Sequence, residues 1–149
     1  MQSTTIEKIL HLSKEFLGCF PLDKLPSFPT EFPKSMIINT QASTQTGEHW
    51  VALVLTEKQC YYFDSFALPI QPNIYMYLQA YCESICRSVI RIQDSTSNYC
   101  GGYCVCFLLH VKDDVSYNNF IAHYNSNYLL QNDEKLKQDF SKIDFLVEM

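Results

Sequence analysis

The segment CGGYCVCFLLHV, at residues 100–111, is apolar on nearly every side if it is wound into a helix. A helix with no face to offer water has to be enclosed by the rest of the domain. The remaining residues must therefore supply layers on several sides of it, and with 149 residues, 47% of them hydrophobic, the chain has enough apolar surface for one core of that kind. No linker-like or repeated stretch divides it, so residues 1–149 read as a single domain.

Several function classes fall away at this level. No run of about 20 apolar residues suggests a membrane span, and the opening residues MQSTTIEKIL lack the basic-then-apolar pattern of a signal peptide. A soluble, intracellular protein is expected. Seven cysteines are an odd number, and without a secretory signal they read as free thiols, so no disulfide framework is expected. The net charge of −5 and pI near 5.2 argue against DNA or RNA as a dedicated partner.

The layers can be read from periodicity. Residues 4–17 carry Ile6, Ile9, Leu10, Phe16 and Leu17 at mostly helical spacing, with Thr4 and Glu7 suited to a capping box and Gly18 to a helix stop. Pro21, Pro26, Pro29 and Pro33 punctuate an irregular connection. SMIINT (35–40) reads as a strand, and QASTQTGE (41–48) as a polar, mobile connection. Residues 71–87 read as a covering helix, SVIRIQ (88–93) as a strand, and residues 117–123 and 133–146 as helices, the last capped by Asn132.

HWVALVL and CYYFDSF, separated by TEKQ, form the clearest pair. Both are β-favouring and read as a hairpin of buried strands. A turn centred between Glu57 and Lys58 sets Asp64 opposite Val51, with His49 two residues along on the same face. His49 and Asp64 are then diagonal neighbours across the ladder, provided the register does not slip by one residue. The expected architecture is α+β: a small mixed or antiparallel sheet packed on the central buried helix, which carries Cys100 at its N-terminus, with flanking helices.

The cysteines at the head of that helix admit more than one chemistry. Cys100, Cys104, Cys106 and His110 cannot converge on one zinc ion, because steps of about 100° per residue scatter them around the helix. No metal and no cofactor are expected. Cys104 and Cys106 read as core residues, as do Cys19, Cys60, Cys82 and Cys86. Cys100 differs because it stands where a polar loop becomes a helix, before Gly101 and Gly102. The positive end of a helix dipole favours a thiolate there, and glycine permits the close approach that an acyl-transfer site needs. His49 suits a base, Asp64 its orienter and Gln93 an oxyanion donor. Taken alone, each also has an ordinary structural role; as a set they suggest nucleophilic catalysis.

TGEHWVALVL, CYYFDSF and IQDSTSNYCGGYC together resemble the three catalytic blocks of the adenovirus maturation endopeptidases, whose clan of cysteine proteases also contains the ubiquitin-like-protein deconjugating enzymes. EFLGCF and SMIINTQASTQTGEHW extend the resemblance upstream, so that it covers roughly residues 6–110. The chain's size suits the shorter relatives found in virophages and virus-like transposons. The resemblance implies His49 as general base, Asp64 as its orienter, Gln93 as oxyanion donor, Cys100 as nucleophile, and Trp50 packed beside them. The seven positions from Gln93 to Cys100 match the adenoviral spacing. The deconjugating enzymes have one fewer, and usually an Asp where Tyr99 stands.

By the same resemblance the substrates are viral structural protein precursors cut in extended segments beside a small residue, and the enzyme works inside the host cell, in the virus factory, cytoplasm or nucleus, and is packaged in the virion. An activating peptide is a candidate partner, with Cys82 or Cys86 to receive it, but their place on an expected helix favours core packing. Activation by peptide or by DNA is therefore not expected, and a monomer without membrane partners is. A ubiquitin-like-protein deconjugase and an inactive binding module of the same fold are the alternatives.

Overall fold

The computed structural model describes residues 1–40 and 49–148; the polar stretch 41–48 lies outside the described residues. The element order is α1 (Ser3–Leu10), β1 (Phe16–Pro21), β2 (Lys34–Asn39), β3 (Trp50–Leu55), β4 (Cys60–Phe63), α2 (Pro72–Gln79), β5 (Ile85–Arg87), α3 (Cys100–His110), α4 (Asp114–Ala122) and α5 (Leu129–Glu148). The strands form one mixed sheet in the order β1-β2-β3-β4-β5. Its outer pairs, β1 with β2 and β4 with β5, are parallel, and its inner pairs are antiparallel.

Every residue of β3 is buried, because the sheet is covered on both faces. Ile37, Ala52, Val54, Tyr61 and Phe63 join the core built around α3. Met36, Ile38, Val51, Leu53, Leu55 and Tyr62 alternate with them and pack under Ile74 and Leu78 of α2. Two-sided burial explains why the strand sequences are nearly continuous in apolar residues instead of alternating with polar ones. On its far side α3 is enclosed by α1, α4 and α5, and it is buried from Cys100 to Phe107. Gly102 lets α5 close on it, since a Cβ there would lie 3.3 Å from Leu136 Cδ2.

The hairpin has the expected register: Ala52 pairs with Phe63 and Leu55 with Cys60. Other expectations need correction. The first helix stops at Leu10, and Phe16 and Leu17 belong to β1, which lies parallel to β2. Gly18, read as a helix stop, sits inside that strand with φ +136° at a register shift between Phe16 and Cys19, a conformation that favours glycine. Gln2 precedes the helix without a side-chain cap, so the Thr4–Glu7 capping box does not form.

The helix expected over 71–87 is only Pro72–Gln79, and Ile85–Arg87 extends the sheet instead. A disulfide between Cys60 of β4 and Cys82 ties the intervening segment back to the sheet edge, which corrects the reading of both as free core thiols. The strand expected at 88–93 is irregular, and Val89 and Ile90 are exposed. Val89 and Ile90 lie past the last pairing of β4 with β5, and of the β-branched residues only Ile92 turns back into the core, its N–H donating to the Ser65 carbonyl at 3.0 Å. Asn132 does not cap a helix but lies within α5, where it is buried.

Candidate active site

His49 and Asp64 lie just outside the paired stretches of β3 and β4. The hairpin register brings them together: His49 Nε2–H donates to Asp64 Oδ1 at 2.9 Å, the diagonal contact expected from the sequence. Asp64 is 2% exposed and is fixed on three sides. Its Oδ1 also accepts from the Phe66 N–H at 2.8 Å, its own N–H donates to Ser88 Oγ at 2.9 Å, and the Ser88 hydroxyl donates to the Asp64 carbonyl. A carboxylate so held presents a fixed oxygen to the imidazole. The Phe66 ring stacks on that imidazole with centroids 5.0 Å apart, and the Arg91 guanidinium lies over the other ring at 5.4 Å.

With Nε2 taken by Asp64, His49 has Nδ1 left for a second partner. Nδ1 is buried and closes no hydrogen bond of ordinary geometry, and Cys100 acts on the same ring by hydrogen bonding and by charge. Burial alone would lower the imidazole pKa, but the hydrogen bonds and charges of Asp64 and Cys100 outweigh it and raise it from 6.5 to about 9. The ring is therefore a cation at neutral pH.

The other free thiols are in different surroundings. Burial raises Cys19 and Cys106 to about 12 and holds Cys104 well above its ordinary range, with Cys104 Sγ donating to the Trp50 carbonyl at 3.2 Å. Cys104 and Cys106 are protonated core residues, as the sequence suggested, and Cys19 is half-buried at the edge of that core. Cys100, the first residue of α3, has the imidazole beside it. Trp50 packs on the residue that follows Cys100: its Nε1–H donates to the Met1 carbonyl at 3.0 Å, and both Met1 and Trp50 close on Gly101.

Gln93 does not end a strand, but it is fully buried and held at both ends. Its side-chain Nε2 donates to Ser97 O at 3.1 Å and to Ser97 Oγ at 3.0 Å, in the loop that leads to Cys100. Its Oε1 accepts from the Ser65 hydroxyl. Behind it, the Ile92 carbonyl accepts from buried Asn132 at 3.0 Å, and Arg91 Nε donates to the Gln93 carbonyl. Ser65, Ser88 and Phe66 were not singled out from the sequence, and Asn132 was read there only as a helix cap. The one local signal was a pair of polar residues, Asp64 and Ser65, closing an otherwise apolar strand. Among the described residues no group of three or more His, Cys, Asp and Glu side chains converges as a metal site, and no helix is long and apolar enough to cross a membrane.

Comparison with known proteins decides the family. The family model of the adenovirus endoprotease matches residues 16–138, most of the chain. This chain belongs to the adenovirus endoprotease family. It is thereby placed among cysteine proteases, in agreement with a thiol, an imidazole and a carboxylate in one constellation. A comparison with the curated proteins finds no relative. Ten chains of solved structures match; one is a crystal structure of the ASFV pS273R protease, 23% identical, with a TM-score of 0.48 over 66% of this chain and 43% of that one. The match thus spans less than half of that protease.

For a member of this protease family the His49 environment predicts a pH profile. The raised imidazole pKa means that the cation, and the stabilisation it draws from Asp64 and Cys100, is fully present below about 6.5 and is lost as pH rises through about 9. Above that point no proton is left for a leaving amine. The alkaline limb of kcat/KM is expected near pH 9, read from hydrolysis rates between pH 5 and 10; a limb near 6.5 would mean that Asp64 and Cys100 do not hold the proton on His49.

Proposed function

We propose that this chain is a cysteine endopeptidase that cleaves viral structural protein precursors during virion maturation, acting as a monomer inside the host cell and travelling in the particle. The observation that carries the reading is the imidazole of His49, held by Asp64 through Nε2 and raised in pKa by hydrogen bonding and charge from both Asp64 and Cys100. The Cys100 thiolate attacks the peptide carbonyl carbon, and the oxyanion is met by the Gln93 amide and the Cys100 backbone N–H at the first turn of α3. The C–N bond breaks as His49 gives its proton to the amine. Water then attacks the thioester, losing a proton to His49, and the thiolate–imidazolium pair is restored.

The chain's charge of −5 supports activity without DNA. Activation by a linked peptide is also unsupported: Cys82 is bonded to Cys60, and burial holds the half-buried Cys86 thiol above its ordinary range. The test is incubation of wild type with the co-encoded capsid precursor and with a panel of glycine-containing extended peptides, read by mass spectrometry with and without added DNA. Cleavage beside a small residue, at a rate unchanged within about twofold by DNA, is expected. No cleavage, with rapid labelling of Cys100 by a probe built on a ubiquitin-like C-terminus, would reassign the chain as a deconjugase.

A further inference from the structure

The Gln93 amide has two ends that are nearly alike in shape and opposite in chemistry. Only the N–H end can stabilise an oxyanion; the carbonyl end would repel it. Something must therefore decide which end faces the loop that leads to the nucleophile. The Ser97 carbonyl, 3.1 Å away, can only accept, so the atom facing it is Nε2. Oε1 is thereby turned to the Ser65 hydroxyl, which donates to it. Ser65 is 0% exposed, as is Gln93, so water does not replace this bond.

We propose that Ser65 is the positioning residue of the oxyanion donor: with the Ser97 carbonyl fixing Nε2 at one end of the Gln93 amide, the Ser65 hydroxyl donates to Oε1 at the other and holds the amide with its N–H groups facing the 94–99 loop. The proposal rests on the reading of Gln93 as that donor. Ser65 also holds the backbone of the same residue, since its carbonyl accepts from the Ile92 N–H at 3.0 Å and the Gln93 N–H at 3.2 Å. It directly follows Asp64, so one dipeptide at the end of β4 orients the base with its first residue and the oxyanion donor with its second. The Ser97 hydroxyl occupies one Nε2 proton between turnovers; being a rotor, it can yield that proton to an incoming oxyanion.

The test uses an acyl donor that needs no sequence recognition. Release of p-nitrophenolate from p-nitrophenyl acetate reports acyl transfer to Cys100 through an oxyanion, whereas alkylation of Cys100 by iodoacetamide passes through none. Ser65→Ala is expected to slow acylation about tenfold and Gln93→Ala about a hundredfold, while the pH profile of alkylation stays that of wild type in both. The double variant is expected to be no slower than Gln93→Ala alone.

Unchanged acylation in Ser65→Ala, or the same fold-loss from it in the Gln93→Ala background, would overturn the positioning role and leave Gln93 as the donor. Wild-type acylation by Gln93→Ala would remove the donor itself, and with it any role for Ser65 through it. Should Ser65→Ala not fold, Ser65→Cys, with a weaker donor of similar size, replaces it; a smaller loss that vanishes without Gln93 is then expected, and a loss that persists overturns the proposal.

Discussion

Cys100→Ala is expected to abolish cleavage of any peptide that the wild type cuts, with a fall on the order of 10⁶-fold in kcat, and to leave thermal unfolding nearly unchanged. The size of the loss follows from the unit to which the thiol belongs. Once the nucleophile is gone, no tetrahedral intermediate forms for His49 to protonate or for the oxyanion donors to meet, so little of the remaining site contributes. The small effect on folding follows from the position. Cys100 is 6% exposed at the first turn of α3, and replacing a thiol by a hydrogen there leaves the inward residues Tyr103, Cys104 and Phe107 in place. The measurement pairs product analysis by mass spectrometry with a melting curve. Residual cleavage within a hundredfold of wild type, from a folded variant, would move the nucleophile elsewhere in the chain.

The second large effect is at His49. His49→Ala is expected to lose about as much as Cys100→Ala, and the double variant to lose no more than either, because groups acting as one unit are not additive. Asp64→Asn divides that effect into geometry and charge. The amide oxygen can still accept the Nε2–H that Asp64 Oδ1 now accepts at 2.9 Å, so the ring keeps its orientation. The charge that helps to raise the imidazole to about 9 is lost. The alkaline limb of kcat/KM should therefore move to lower pH, with a smaller fall in the maximum than His49→Ala produces. An alkaline limb unmoved in Asp64→Asn would mean that the carboxylate does not set the protonation of His49.

How much of this could be read before the fold was known depended on the range of the interaction. The β3–β4 hairpin is closed by the four residues TEKQ, and a short turn sets its register. That register alone brought His49 and Asp64 together. The Cys100 helix was legible for a similar reason, since a continuous apolar run at a loop-to-helix boundary declares both burial and an N-terminus. Gln93 was legible through its place in the resemblance, though the strand expected to carry it is irregular chain.

What failed was equally physical. Phe16 and Leu17 continue the helical spacing of α1, but a parallel partner in β2 draws them into the sheet. Ile85 fits the pattern of α2, yet pairs with Cys60, beside a disulfide whose cysteines are 22 positions apart. Periodicity reports which face of a segment is apolar and not which distant segment will cover it.

The sequence by itself therefore determined the central helix, the hairpin, and the thiol, imidazole and carboxylate with their spacing, because each is a matter of local pattern or of a short loop. The tertiary structure alone decided the edges of the sheet, the Cys60–Cys82 bond, and the polar contacts that orient the site: Ser88 on Asp64, Ser65 on Gln93 and Asn132 on the Ile92 carbonyl. Those last partners are 24, 28 and 40 positions apart in the chain. A buried hydrogen bond over such a span exists only after the core has brought its two ends together, and no local spacing announces it.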